Sequence, residues 1–281
     1  MTRYALNPAM PVLSRPDGVV QVGWDPRRAV LVRPPSGLTS AALGALLRAL
    51  QAGATLAQVQ GLAVGVDADA VADLLRGLVD AGVVTTVPRC RTRTASIRIH
   101  GRGPLSDLLT SALRCSGARI KHSNQPHAAA TAGTTDLVVL SDSLVADPRM
   151  LRDLHAARVP HMPVRVRDGS GLVGPLVVPG VTSCLRCADL HRSDRDASWP
   201  AVAAQLRDTV GTADRATVLA TAALALNQVD RVIAAVRGGV EVNRAPHPPS
   251  TLDTTLEFDV NTGSTVARRW SRHPGCIQCS T

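Results

Sequence analysis

The stretch GLVGPLVVPGVTSCLRCADL, residues 171–190, contains a Cys-x-x-Cys pair, Cys184 and Cys187. A second pair, Cys276 and Cys279, lies in HPGCIQC near the end of the sequence. Two such turns supply the closed tetrahedral thiolate shell that structural zinc prefers. The four cysteines therefore predict a structural zinc site with no open position for a catalytic water. Six cysteines in 281 residues are too sparse for a disulfide scaffold. A redox or disulfide role for the pairs is the alternative.

The residues around these pairs predict support for the metal rather than catalysis. His273 is a further ligand, a donor to a ligand, or a loop histidine. In HRSDRD, residues 191–196, carboxylates alternate with arginines, which indicates an ion-pair network that orders the zinc loop. Cys115 lies on an apolar helix outside the pairs and is predicted to be a small core residue.

From residue 95 onwards short apolar strands alternate with helices. ASIRIH, ARIKH, DLVVL and PHMPVRV are predicted strands, and a glycine turn follows the first of them. This alternation predicts a Rossmann-like half. Residues 212–236 predict a long helix, and TLEFDV-NTG-STVARRW predicts a hairpin.

A nucleotide site at that glycine turn is only partly present. Gly101 and Gly103 preserve the start of G-x-G-x-x-G, but Ser106 takes the place of the third glycine. Asp142 is the nearest candidate for a metal-binding acid, with an N-cap of the following helix as the alternative. Gly101, Gly103 and Asp142 therefore form a degenerate cofactor site.

The ribose of a nucleotide would also lack its usual acidic partner. Residues 118–135 contain neither Asp nor Glu, which leaves Asn124 or Gln125 for the ribose. Because a triphosphate must be held by several groups at once, the sequence argues against ATP binding and against activity as an enzyme.

The N-terminal part has the order of a winged helix. An alternating stretch from Gly18 predicts a hairpin, followed by helices at Thr39–Gln51, Thr55–Leu62 and Ala68–Asp80, and by a strand over residues 83–87. Asp67 is the predicted cap of the third helix.

A polar stretch, VPRCRTRT, follows this part and predicts a linker. The expected fold class is α/β, with a winged-helix (α+β) domain at residues 1–92 and a Rossmann-like domain carrying the zinc site at residues 93–281.

Charge and hydropathy limit the function classes. The net charge of +9 is dispersed along the chain. The predicted third helix presents Asp67, Asp69 and Asp73 where phosphates would approach, with Arg76 as its only cation, so DNA binding is disfavoured against peptide or protein binding. The N-terminus has no apolar signal core, and no stretch approaches the ~18 apolar residues of a membrane span, so a cytoplasmic location is expected.

The text GLVGPLVVPGVTSCLRCADLHRSDRDASWP and the closing RRWSRHPGCIQC resemble the C-terminal half of actinobacterial ThiF-like proteins, which are related to ubiquitin-activating enzymes. The resemblance covers roughly residues 95–281. It implies that the paired cysteines bind structural zinc. It also implies that the winged helix is a leader-peptide clamp of the kind found in azole-forming ribosomal-peptide (TOMM cyclodehydratase) systems.

The sequence thus predicts a non-catalytic scaffold that binds a peptide or a partner protein, such as a YcaO-type enzyme, and that could form a homodimer. The resembling clamps imply that a peptide adds as a strand beside the hairpin, along Ala29, Val30, Leu31, Val32 and Arg33, and packs against Arg76 and Val79. An adenylating ThiF-like enzyme and a winged-helix DNA-binding regulator are the alternatives.

Overall fold

The computed structural model describes residues 2–87, 93–124, 133–238 and 248–279. Two units can be distinguished, one containing residues 2–87 and the other containing residues 93–237 and 248–279. Much of the predicted linker, including residue 92 at its boundary, lies outside the described residues.

The first unit contains six short strands and three helices. The predicted hairpin and the predicted helices are confirmed, while β1, β2 and β5 were not predicted. Their bounds are β1 Arg3–Leu6, β2 Val12–Ser14, β3 Val20–Val22, β4 Val30–Val32, α1 Ser40–Gln51, β5 Ala54–Thr55, α2 Leu56–Leu62, α3 Ala68–Asp80 and β6 Val84–Val87.

The strands of this unit form two separate three-stranded sheets, in the orders β5-β1-β6 and β2-β3-β4. Leu43, Leu46, Leu47 and Leu50, which recur at helical spacing on α1, are fully buried in the core that both sheets share with the helices. Asp67 stands at the start of α3 as expected, but its side chain makes no capping hydrogen bond.

The second unit is built on a seven-stranded mixed sheet in the order β13-β12-β11-β10-β9-β7-β8. The strands from β8 to β10 run parallel, and the pairs from β10 to β13 are antiparallel. Their bounds are β7 Ser96–His100, β8 Arg119–Ser123, β9 Leu137–Ser141, β10 His161–Arg167, β11 Ser170–Val173, β12 Thr254–Asp259 and β13 Ser264–Arg269.

Helices cover both faces of this sheet. The predicted helices are present as α4, α5 and α8, whereas α6, α7 and β11 were not predicted. Their bounds are α4 Pro104–Leu113, α5 Pro148–Ala156, α6 Leu185–Arg195, α7 Trp199–Leu206 and α8 Arg215–Val236. One face of the sheet packs against α4 and α8, and the other packs against α5, the start of α6 and the cysteines. The fold class is therefore mixed α/β.

Helix α8 is, among the described residues, the one helix whose length and composition would allow it to cross a membrane. Its Ala222, Ala225, Val229 and Ile233 instead pack against the sheet in the core of the second unit. This is the burial pattern of a core helix in a globular domain.

Candidate functional site

The four predicted cysteines come together at one point of the second unit. The Sγ of Cys184 lies 3.7 Å from that of Cys187 and 3.5 Å from that of Cys276, and the Sγ atoms of Cys187 and Cys279 are 3.5 Å apart. All four sulfurs lie within 4.8 Å of one another. A tetrahedral ion with bonds of about 2.3 Å needs sulfurs about 3.8 Å apart, whereas a disulfide needs about 2.0 Å. The four thiols can therefore hold one metal ion.

Two similar turns position these thiols. Cys184 is the N-cap of α6, and the N–H of Cys187 donates to its carbonyl at 3.0 Å, while the N–H of Cys279 donates to the carbonyl of Cys276 at 3.2 Å. Cys184, Cys187 and Cys276 are buried against apolar side chains from α5 and the neighbouring strands. The cluster thus ties the segment after β13 to the start of α6.

Burial keeps two thiols of the cluster neutral when no cation is bound. Burial raises the pKa of the Cys184 thiol, and burial likewise raises the pKa of Cys279, to about 11. Burial acts in the same direction on Cys187, but hydrogen bonds with the backbone and with the neighbouring cysteines together outweigh it and lower the pKa of that thiol. Several thiolates at this spacing repel one another, so a bound divalent cation would favour their ionisation.

His273 is not in the cysteine cluster. Its Nε2 lies 2.8 Å from a carboxylate oxygen of Asp194 on α6, and its Nδ1 accepts the N–H of Gly275 at 3.0 Å. Since a neutral imidazole has one lone-pair nitrogen, Nδ1 uses that lone pair and Nε2 carries the proton towards Asp194. His273 and Asp194 therefore connect α6 to the second cysteine turn. Of the predicted pairing between aspartates and arginines, the structure has Arg192 with Asp189.

Cys115, by contrast, is exposed just after α4. The prediction that it is a core residue was wrong. The helix ends at Leu113, one turn earlier than the apolar pattern had suggested.

The glycine turn after β7 approaches Asp142 rather than open space. A Cβ atom on Gly103 would lie 2.7 Å from a carboxylate oxygen of Asp142, and one on Gly101 would clash with the carbonyl oxygen of Ser141. Both positions therefore require glycine because the end of β9 is so close. In a nucleotide-binding site, glycine is required at these positions because the backbone must approach the pyrophosphate closely.

Asp142 caps α4. Its carboxylate oxygens accept the backbone N–H groups of Leu105 at 2.9 Å and Ser106 at 3.1 Å, in the first turn of that helix. It is not the N-cap of the following helix α5, where Asp147 accepts the N–H of Arg149. That expectation was wrong, because Asp142 adopts a left-handed backbone conformation (φ 74°) that turns its side chain back towards α4.

A cavity of about 270 Å³ opens beside this turn, at the carboxyl ends of β7 and β9. His100, Asn124, Arg165 and Arg207 are among the side chains that line it. Asn124, one of the two predicted ribose partners, thus faces the cavity, while Gln125 lies outside the described residues. The position is that of ligand crevices in open α/β sheets.

The predicted peptide edge consists of β4 and the residues beside it. Among the described residues, β4 pairs only with β3. Arg15 donates to the carbonyl of Val19 and Gly23 donates to that of Pro11, so odd-numbered residues of β3 bond to β2. Because bonded positions alternate along a strand, the even-numbered residues of β3 bond to β4.

This alternation decides which groups of β4 are available. Val30 and Val32 pair with even-numbered residues of β3, so their N–H and C=O groups face β3. Leu31 therefore points its N–H and C=O away from the sheet, and its side chain is 56 % exposed. On α3, the charge of Arg76 is paired with Asp73 at 2.9 Å, and Val79 packs against the core.

No family model and no curated protein matches the sequence. Solved structures match its fold. The heterocyclase TruD is 17 % identical over 99 % of this chain with a TM-score of 0.65, and this chain covers 43 % of TruD. A heterocyclase in complex with substrate and cofactor is 16 % identical over 99 % of this chain with a TM-score of 0.67, and this chain covers 40 % of that heterocyclase. The chain thus spans less than half the length of these heterocyclases.

A second similar protein matches this chain over nearly the full length of both proteins. MccB of E. coli with ATP is 13 % identical with a TM-score of 0.59, and the match covers 99 % of each chain. The microcin C7 biosynthetic enzyme MccB has also been solved in complex with N-formylated MccA, with the same values. These similarities support a ThiF-like fold, and at such identities they show the fold alone.

Sequence reasoning missed one group of side chains on the cysteine side of the sheet. Arg165 on β10, Arg192 on α6 and the indoles of Trp199 and Trp270 line a common cavity. The available signal was an arginine near the end of PHMPVRV, between the apolar and buried residues Val164 and Val166. Strand β10, the segment from α6 to α7 and the residue Trp270 are far apart in the chain, so local patterns could not predict that they meet.

Proposed function

We propose that the chain is a zinc-stabilised, non-catalytic peptide-binding component of a ribosomal-peptide modification system. Its first unit acts as a winged-helix peptide clamp and its second as a degenerate ThiF-like Rossmann domain. The bound peptide is presented to a modifying enzyme, with a YcaO-type enzyme as the proposed partner, in the cytoplasm, and a homodimer is the proposed assembly.

The observation that carries the proposal is the outer edge of β4. Leu31 offers an N–H, a C=O and an exposed apolar side chain to an incoming strand. Main-chain hydrogen bonds at such an edge supply affinity, and contacts with alternate side chains supply selectivity. The fold similarity to MccB, solved with the peptide MccA, agrees with a peptide ligand.

The absence of adenylation is supported by Asp142. The first turn of a helix at a glycine turn is where a nucleotide phosphate binds, because free N–H groups and the helix dipole favour an anion there. In α4 these N–H groups already donate to the carboxylate of Asp142. A phosphate at that position would have to displace a buried, negatively charged side chain.

Zinc is the proposed metal because the donor set is four cysteine sulfurs. Thiolate ligands select zinc or iron–sulfur chemistry, and a closed shell of four buried sulfurs at these spacings is typical of structural zinc. The metal would hold the segment after β13 against α6 and would contribute folding energy to the second unit.

A displayed library of random 15-residue peptides, selected on the purified chain, tests the clamp. Ser14 on the opposite edge strand β2 pairs with the even-numbered Val20, so its N–H, like that of Leu31, faces away from β3. Peptides that bind the unmodified protein but not Leu31→Pro, with unchanged binding to Ser14→Pro, would support strand addition at β4. Selected peptides that bind both variants equally would refute it.

An adenylating enzyme is the second candidate, favoured by the cavity at the carboxyl ends of β7 and β9 and by the fold similarity to MccB with ATP. Calorimetric binding of ATP by the purified chain, followed by peptide-dependent pyrophosphate exchange, would establish it against the scaffold.

A further inference from the structure

Arg165 occupies an unusual place for an arginine. Its neighbours Val164 and Val166 point into the core on the α8 face, so strand alternation directs Arg165 to the opposite face, towards α6. Its Nη1 donates to the carbonyl of Leu144 at 2.8 Å. The side chain lines both the crevice described above and a second cavity of about 130 Å³ on the α6 side, as Val145 and Ala146 also do.

The second cavity, called here the Arg165 pocket, has a wall held in place by its own contacts. The guanidinium of Arg192 lies 5.0 Å from the ring centre of Trp199 and 5.1 Å from that of Trp270. Asp189 accepts from Arg192 at 2.9 Å and from the indole N–H of Trp199 at 3.2 Å. These contacts fix both the rings and the guanidinium before any ligand arrives.

The charges of the Arg165 pocket do not cancel. Arg192 is paired with Asp189. Arg167, which also lines the pocket, lies 3.3 Å from Glu257, which it shares with Arg268, and 3.8 Å from Asp168, so these two arginines have two carboxylates. Arg165 forms no ion pair within the described ranges. Burial and repulsion by Arg192 lower the pKa of Arg165 to about 10, so that it still carries its charge at neutral pH. One positive charge, largely withdrawn from water, is left without a partner.

We propose that the Arg165 pocket binds a carboxylate carried on an apolar residue of a peptide. One uncompensated charge matches a single carboxylate better than a phosphate dianion, and the planar guanidinium can bond both carboxylate oxygens. Leu144, Leu185 and Leu206 line the pocket beside the indoles and would contact the apolar part. The carboxylate comes either from an acidic side chain or from a peptide C-terminus. This site in the second unit is separate from the β4 edge and does not depend on it.

Three small probes distinguish the sources. N-acetyl-leucine presents a terminal carboxylate, N-acetyl-glutamic acid α-amide presents a side-chain carboxylate, and N-acetyl-leucinamide is the neutral control. The readout is the indole N–H signal in ¹⁵N-resolved NMR spectra. The chain has three tryptophans, and Trp24 lies in the first unit, where it is 76 % exposed and serves as an internal reference. We expect one or both carboxylates to shift Trp199 and Trp270 but not Trp24, with no shift from the amide.

Variants test the role of Arg165 directly. Arg165→Met should weaken carboxylate binding at least about tenfold, and Arg165→Lys severalfold, because a lost charged hydrogen bond costs this much. Arg119→Met, at an exposed position at the start of β8, is the matched control and should bind normally. Zinc content and the other signals of the NMR spectrum report whether each variant folds. If Arg165→Met does not fold, the affinity of Arg165→Lys decides the test.

Three results would overturn the proposal. One is the failure of both carboxylates to shift Trp199 and Trp270. Another is an unchanged affinity in the folded Arg165 variants. The third is a larger shift with AMP than with either carboxylate, which would assign the pocket to a phosphate.

Discussion

The carboxylate of Asp142 accepts the backbone N–H of Ser106, at 3.1 Å, in the first turn of α4. Both residues are buried, and Ser106 further exchanges hydrogen bonds with the N–H and C=O of Gly103. The first turn of α4 therefore has its N–H groups satisfied by the chain itself. Two predictions depend on this arrangement.

The first prediction concerns the stability of the second unit. Asp142→Asn keeps a side chain that tolerates the left-handed backbone but loses the charge and one accepting oxygen. We expect it to lower the free energy of unfolding by about 1–2 kcal/mol. The measurement is urea unfolding followed by tryptophan fluorescence. Asp147→Asn at the start of α5 is the control and should be nearly neutral, because Asn caps as well as Asp. Equal effects of the two changes would contradict the role assigned to Asp142.

The second prediction is that the chain alone does not turn over ATP. Because α4 is already capped and Ser106 replaces the third glycine, we expect no peptide-dependent release of AMP or ADP. Ser106→Gly should not restore it, since a triphosphate must be positioned by several groups together. Release of AMP by the purified chain, abolished by Gly103→Ala, would overturn the non-catalytic assignment.

Metal content provides the third prediction. We expect one zinc ion per chain, measured by elemental analysis of protein purified without chelator. Cys276→Ser should lose the metal and lower the stability of the second unit by several kcal/mol, because binding energy at such sites is folding energy. Dispersed backbone amide signals from the first unit in ¹⁵N-resolved NMR spectra should show that this unit stays folded.

The exposed Cys115 gives the matched control for this experiment, since it lies outside the cluster. Cys115→Ser should keep the zinc and the melting temperature of the unmodified protein. Protein without metal, or a Cys276→Ser variant that retains full zinc, would rule out the four-cysteine site.

The fourth prediction concerns the peptide edge. Leu31→Pro removes the N–H that faces away from β3, and proline is tolerated on edge strands, so we expect weaker binding of selected peptides without unfolding. Leu31→Ala keeps that N–H and should lose only the side-chain contribution to peptide binding.

Val32→Pro, in contrast, removes a hydrogen bond to β3 and should destabilise the first unit. Arg76→Glu should weaken acidic peptides only modestly, because Asp73 already pairs with Arg76 at an exposed site. Anisotropy of labelled peptides measures each effect, and equal binding by Leu31→Pro and Leu31→Ala would contradict strand addition.

The fifth prediction concerns pH. Burial lowers the pKa of His161 to about 4 from an ordinary value of 6.5, and its Nδ1 donates to the carbonyl of Val159. Between pH 4 and pH 6.5 the unfolded chain binds a proton at His161 that the folded chain does not. The free energy of unfolding is therefore highest above pH 6.5 and falls as the pH drops towards 4. From about pH 7.5 to about pH 5.5, His161 should reduce the free energy of unfolding by about 1.4 kcal/mol.

His161→Asn, which can keep the bond to Val159, should remove this part of the pH dependence. His122→Asn, at an exposed position, should not. Urea unfolding at both pH values, with zinc content checked at each, measures the difference. An unchanged slope in His161→Asn would contradict a neutral, buried His161.

Part of the fold could be predicted because its signals are local. The leucines of α1 recur at helical spacing, and the NTG turn between β12 and β13 specifies a hairpin. Helix α6 was missed for a physical reason. It is mostly charged, and it is held by Cys184, Cys187 and its ion pairs instead of an apolar stripe.

By itself the sequence identified the four thiols of the candidate metal site, since two thiols three residues apart on one turn can meet one ion. That the two pairs lie together was decided by the tertiary structure. The tertiary structure alone decided the role of Asp142, which bonds a residue 36 positions earlier, the outward N–H of Leu31, and the isolated charge of Arg165. Each of these depends on strand order and register. Those are set by contacts between distant segments, and a local pattern of residues carries no information about them.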